Sequence, residues 1–246
     1  MEPVIKIQHV HKVFRDTSPP HLKALDDITL DIHAGEIFMF LGPSGCGKST
    51  LLRIMSGLEK DFTGSVMLGA GVKHSDMSFI FQQFGLLPWL TVAENVATGL
   101  VGHGVPREEH ASRVAIELKR LGLEKFARAR PRELSGGMRQ RVGIARALAT
   151  RPKIIFMDEP FSELDSFTAE ELRQEFLRIW AETRPTIVMV THLIPEALEL
   201  ADRIAVMSSQ PGRTKEVIVN HLPRPREKRA PDFWRMEDRL YSLIKQ

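Results

Sequence analysis

Between the apolar runs Ile37–Leu41 and Leu51–Met55 lie nine residues, Gly42, Pro43, Ser44, Gly45, Cys46, Gly47, Lys48, Ser49 and Thr50. The order predicts strand, loop, helix, which is the setting a phosphate-binding loop requires. Glycines at 42, 45 and 47 permit left-handed backbone and let main-chain amides close on a polyphosphate. The positive end of the helix that follows adds attraction for the anion. Lys48 has the reach to meet β- and γ-phosphates, and the Ser49 hydroxyl suits Mg²⁺. Cys46 lies inside this loop and reads as a packing residue, because phosphate chemistry there needs no thiol nucleophile.

The second half of the site is expected at Ile154-Ile155-Phe156-Met157-Asp158-Glu159, a buried strand closing on two carboxylates. Open α/β sheets bind ligands at the carboxyl ends of their strands. Phosphoanhydride hydrolysis needs a carboxylate that organises the metal and a group that positions water. Asp158 is assigned to Mg²⁺ and Glu159 to the water, as general base. His192 ends the next apolar run, Thr186–Thr191, and is either a structural histidine or a hydrogen-bond partner of the γ-phosphate. A second anion-ready helix tip is predicted at Leu134-Ser135-Gly136-Gly137-Met138, where Ser135 can cap and two glycines leave the first-turn amides unobstructed. One nucleotide needs only one phosphate loop, so this tip calls for another explanation.

Strands are expected over 4–14, Ala24–Ile32, Ser65–Leu68, Met77–Phe81, Lys153–Met157 and Thr186–Val190. Helices are expected over Thr91–Leu100, Glu108–Leu121 and 168–182, with Gly122 as a stop and Asp16–Pro20 as a loop. The near-continuous apolar runs suit parallel strands covered on both faces. His9 and His11 lack further ligands at a usable spacing and read as surface histidines. The segment Phe84–Leu90 is apolar but broken by Gly85 and Pro88; it is either a buried loop or an exposed docking patch.

Seven Lys/Arg and four acidic residues fall in 221–246, so the remainder carries 27 of each sign. A neutral body argues against a nucleic-acid-binding face. No apolar run approaches the roughly 18 residues of a membrane span. The opening residues Met1–Lys6 lack the pattern of a signal peptide, and a single cysteine suits a reducing cytosol. Past the proline-broken Pro223–Arg229, Asp232 is expected to cap a helix with Phe233, Met236, Leu240, Leu243 and Ile244 on one face. That face either packs on the body or meets anionic lipid.

Taken in order, the loop 42–50, Gln82, the Leu134–Met138 run, Asp158-Glu159, Ser162-Glu163-Leu164-Asp165 and His192 resemble the ATP-binding subunit of an ATP-binding cassette (ABC) transporter. The resemblance covers 4–220. It implies an α/β phosphate-loop NTPase core with a mainly parallel sheet, an N-terminal antiparallel part and a helical insertion at about 88–150, followed by a basic linker and amphipathic helix over 221–246. It implies ATP and Mg²⁺ as ligands, with Gln82 bridging the metal and the permease contact, and Phe14 stacking on adenine unless it is simply strand core. It also explains the second helix tip: two cassettes pair head to tail, identical or not, and each gives Ser135, Gly136 and Gly137 to its mate's ATP while Asp165 links the sites. An integral permease, an external solute-binding protein and a peripheral place on the cytoplasmic face of the membrane follow from the same resemblance. Glu163 and Leu193 depart from the commonest pattern, where a small residue and Asp are usual. Leu86–Val92 and Ser209-Gln210-Pro211-Gly212-Arg213 resemble importers of nitrate, sulfonates, taurine and similar solutes. The alternative is a cassette ATPase that regulates a ribosome- or DNA-associated complex.

Overall fold

A computed structural model describes residues 2–14 and 21–245; the loop expected at Asp16–Pro20 lies outside them. In chain order the elements are β1 (Pro3–Phe14), β2 (Leu22–His33), β3 (Ile37–Leu41), α1 (Lys48–Met55), β4 (Thr63–Leu68), β5 (Met77–Ile80), α2 (Val92–Gly102), α3 (Arg107–Arg120) and α4 (Gly136–Ala149). They continue with β6 (Ile154–Asp158), α5 (Ser166–Thr183), β7 (Thr186–Thr191), α6 (Ile194–Leu200), β8 (Arg203–Met207), β9 (Thr214–Val219) and α7 (Pro231–Lys245). The chain divides into two compact units, one of residues 1–74 with 186–246 and the other of residues 75–185.

In the first unit β1 pairs antiparallel with β2 on one side and β4 on the other. Its register slips at His9, whose φ of +49° marks a bulge. His9 and His11 do not converge: Nδ1 of His9 lies 2.8 Å from Asp27 and Nδ1 of His11 lies 3.1 Å from Asp26. No cluster able to hold a metal occurs among the described residues. β3 runs parallel between β7 and β8, with β9 antiparallel at the edge. Every residue of β3 and β7 is buried, which is why those runs carry no alternation. Leu41 and Thr191 sit opposite one another, so the residues that follow them, Gly42 and His192, leave the sheet side by side.

The tail also belongs to this unit. α7 packs on α6 and β8 through buried Phe233 and Leu240, the packed reading of its apolar face. Asp232 is not the cap. Pro231 opens the helix, as a residue with no N–H to satisfy can, and Asp232 falls in the first turn, 3.2 Å from Arg235. The basic linker is structural as well. Arg226 reaches the carbonyls of Leu198 and Glu199 at 3.1 and 3.2 Å, and Arg224 reaches that of Leu200. Both therefore close the C-terminal end of α6, where cations are favoured. Burial pulls the Arg226 guanidinium down to about 10, helped by the neighbouring Arg224 charge. Burying a Phe or Leu is worth about 1.5–3 kcal/mol each. Deleting 230–246 should therefore lower Tm by about 6–24 °C, at roughly 2–4 °C per kcal/mol. Scanning fluorimetry reads this, and an unchanged Tm would mean that α7 is not part of the packed body.

In the second unit β5 and β6 pair in parallel, and Phe79 stacks on Phe156 with centroids 6.4 Å apart. α2 opens on a capping box, Thr91 with Glu94. α3 buries Val114 and Leu118 and stops before Gly122, which takes the left-handed φ of +66° the stop requires. α4 packs against both α2 and α3. No helix among the described residues is long and apolar enough to cross a membrane.

Candidate functional site

The phosphate loop begins where β3 ends. Gly45 and Gly47 adopt φ of +79° and +91°, and Gly47 precedes α1 with no side chain capping the helix. A Cβ on Gly47 would lie 2.7 Å from Leu25 Cδ2 and 2.8 Å from the Ala24 carbonyl, so the position needs glycine for space as well as for conformation. Lys48 is 4% exposed; its Nζ donates to the carbonyls of Gly42 at 2.8 Å and Pro43 at 3.0 Å. The ammonium is thus folded back across the loop, and its third hydrogen faces only the weak acceptor Cys46 Sγ at 3.9 Å, which a phosphate oxygen would replace. A helix start without a cap, a left-handed glycine pair and one cation make a concavity suited to a polyphosphate. Cys46 is buried, and desolvation raises its thiol above the usual range, as its packing role requires.

Support for this loop comes from a segment with no chemical signature of its own. A Cβ on Gly212 would sit 2.1 Å from the Cys46 carbonyl, so residues 208–213 pack backbone to backbone against the loop. Gly212 donates to Ala24 at 3.0 Å and accepts from Asp26 at 2.9 Å, while Gln210 Nε2 reaches the Gly45 carbonyl at 3.3 Å. Asp26 gathers Lys23 at 2.7 Å, Arg213 Nε at 2.9 Å and His11. Hydrogen bonds from Lys23 and then Arg213 hold its carboxyl well below the usual carboxylate range. The Ser209–Arg213 run is thus a brace behind the phosphate loop.

Phe14 ends β1, half-buried, with Lys12 Nζ 4.8 Å from its ring centroid. His192 is exposed beside Gly42, and Leu193 begins the turn into α6. The first unit thereby brings together the 42–50 loop and His192.

In the second unit Asp158 is the last residue of β6 and is 4% exposed. The chain turns at once, because Glu159 has a φ of +43°, a left-handed conformation that is costly for a residue with a Cβ and is typical of functional turns. The Glu159 carbonyl accepts from the Ser162 amide at 3.2 Å and the Ser162 hydroxyl at 2.9 Å, which fixes that turn. Asp165 then caps α5 by accepting from the Thr168 amide at 3.0 Å, and hydrogen bonds from Thr168 lower its pKa. Ser135 caps α4 in the same way, accepting from Met138. A Cβ on Gly137 would lie 2.4 Å from Thr168 Cγ2. The unit therefore seats the Ser135–Gly137 tip on the start of α5, next to Asp165.

Gln82 is exposed on the loop between β5 and α2. Within Phe84–Leu90 Trp89 is 67% accessible while Phe84, Leu86, Leu87 and Leu90 are half-buried, so the segment is neither a buried loop nor a fully exposed patch. Its carbonyls are nonetheless satisfied. Asn95, fully buried on α2, donates to Leu87, Leu90 and Thr91 and accepts from the Leu87 amide at 2.7 Å.

The chain is similar to several known proteins. The family model described as ABC transporter matches residues 25–162. The aliphatic sulfonates import ATP-binding protein SsuB 1 of Pseudomonas syringae is 41% identical over 247 residues, spanning 100% of this chain and 98% of its own. The nitrate import ATP-binding protein NrtD of Synechococcus elongatus is 40% identical over 242 residues, spanning 96% of this chain and 86% of its own. Among solved structures, a dimeric ATP-binding cassette in a post-hydrolysis state with ADP and Pi aligns with TM-score 0.76 and 35% identity, over 88% of this chain and 99% of that one.

Proposed function

The chain belongs to the ABC transporter family as an ATP-hydrolysing subunit, and on that premise we propose that it powers import of a small solute, nitrate, a sulfonate, taurine or similar, through a separate membrane permease. The import names of the relatives speak for this over a ribosome- or DNA-associated role.

The observation that carries the reading is the pair of glycine-bearing helix starts, Gly47 before α1 and Ser135–Gly137 before α4. Each is suited to phosphate, and a single ATP has one triphosphate. Two copies, or this chain and a second cassette, clasp two nucleotides, each phosphate loop facing the other's Ser135, Gly136 and Gly137. In this reading Phe14 stacks on adenine, the amides of residues 42–50 and Lys48 hold the triphosphate, and Asp165 links the two sites. Ser49, Asp158 and Gln82 supply the hard oxygen donors that suit Mg²⁺. When bound, the ion offsets charge on the β- and γ-phosphates. Glu159 accepts the proton of the water that attacks the γ-phosphorus, and His192 hydrogen-bonds the γ-phosphate. The bond to the β-γ bridging oxygen breaks, and ADP and phosphate leave. ATP thus favours the closed pair, and the permease responds through the Gln82–Thr91 loop by differential affinity for the two states. A peripheral place on the cytoplasmic face and an external solute-binding protein complete the arrangement.

Two measurements test this. Turnover of ATP should need Mg²⁺ and stop with EDTA, and sedimentation should show ATP-dependent pairing once hydrolysis is blocked. A chain that stays monomeric in ATP, with its permease present, would defeat the head-to-tail arrangement.

A further inference from the structure

Arg146 stands three turns along α4 from the Ser135–Gly137 tip, and its guanidinium leaves the helix for the loop between β5 and α2. Nη1 donates to the Gly85 carbonyl at 2.5 Å and Nη2 to the Phe84 carbonyl at 2.8 Å. The described residues set no carboxylate against it, and desolvation lowers its pKa. A partly desolvated cation held only by main-chain carbonyls is a costly arrangement unless its geometry is needed. The surroundings are shaped to admit it. Phe84 and Gly85 both take left-handed φ, +57° and +54°, which turns successive carbonyls toward α4. A Cβ on Gly99 of α2 would lie 2.6 Å from the Arg146 carbonyl oxygen and 3.0 Å from its Cγ, so glycine there lets α2 approach the α4 backbone at Arg146 as well as the start of its side chain. Gly143, one turn before Arg146, leaves only ordinary contact distance, 3.5 Å, between its Cβ position and the Phe84 carbonyl.

We propose that Arg146 is a positioning residue that ties the loop carrying Gln82 and Trp89 to α4, so that the helix whose tip meets nucleotide and the loop that meets the permease move as one piece. The inference rests on the reading above and deepens it. Asn95 shapes the loop from α2, whereas Arg146 joins it by hydrogen bonds to the helix that begins at Ser135. Arg suits the task because its planar fork holds two acceptors at once, whereas a lysine ammonium is a point donor on a flexible stem.

The test uses the full chain with Glu159→Gln to retain ATP and Trp234→Phe to silence the second exposed indole; Trp180 is buried at 2% exposure. Acrylamide quenching of Trp89 is measured with and without Mg-ATP, beside the nucleotide Kd. The expected result is a nucleotide-dependent change in quenching that Arg146→Met abolishes and Arg146→Lys weakens, with Kd unchanged in both. Should the Met variant fail to fold, the Lys variant carries the comparison. A full Trp89 response in either folded variant overturns the inference, since the loop would then follow nucleotide without the guanidinium. So does a parent chain that binds ATP with no Trp89 response, although the ATPase reading would stand. Failure of the parent to bind ATP would instead strike the reading beneath both.

Discussion

Glu159→Gln should bind ATP as tightly as the parent chain and turn it over about 10²–10⁴-fold more slowly, the share a general base commonly supplies. The substitution replaces one carboxylate oxygen by an amide of nearly equal size, so it removes proton acceptance and little else. The local backbone makes the comparison clean. Glu159 sits at φ +43° after the last residue of β6, and its carbonyl accepts from Ser162, a contact that the substitution leaves in place. Glutamine bears the same left-handed cost, about 1–2 kcal/mol for any residue with a Cβ, so stability should not change. Single-turnover hydrolysis and nucleotide Kd, measured side by side, separate chemistry from binding. An undiminished rate would take Glu159 out of the reaction and leave Asp158 or His192 to be examined as the group that orients water.

How far such roles could be read before any fold was known depends on where each signal is stored. The phosphate loop was legible because its glycines, its lysine and its flanking apolar strand are contiguous. Ser135 was legible because capping is local, its hydroxyl meeting an amide three residues on. The brace behind the loop was not, because Gln210 and Gly45 lie 165 positions apart and Gly212 acts through the side chain it lacks. Arg146 was silent for a related reason: its acceptors are main-chain carbonyls, which every sequence carries. The 84–90 segment was ambiguous because its carbonyls find their donors far along the chain or on the next helix, from Arg146 at Phe84 and Gly85 and from Asn95 at Leu87 and Leu90. Asp232 was misplaced by two residues because Pro231 takes the first helical position.

Lys48→Ala should fail earlier than Glu159→Gln, at binding and not at turnover. The ammonium is 4% exposed and its protein partners are two carbonyls and, at 3.9 Å, the Cys46 sulfur, so no carboxylate competes with a phosphate for it. A hydrogen bond to a charged group is worth about 1.5–3 kcal/mol, which corresponds to roughly 10–150-fold in ATP affinity at about 1.4 kcal/mol per decade. The loss should reach further than that one contact, because the same ammonium closes the loop by bridging Gly42 and Pro43. With it gone, two carbonyls point into the concavity with no donor, and they would repel the incoming triphosphate. ADP should therefore lose affinity as well, though less than ATP, since it lacks the γ-phosphate the side chain is placed to reach. Calorimetric titration of both nucleotides reads the two effects apart. Equal losses for ATP and ADP would mean that Lys48 serves the loop and not the γ-phosphate, and unchanged affinity for both would remove it from the site.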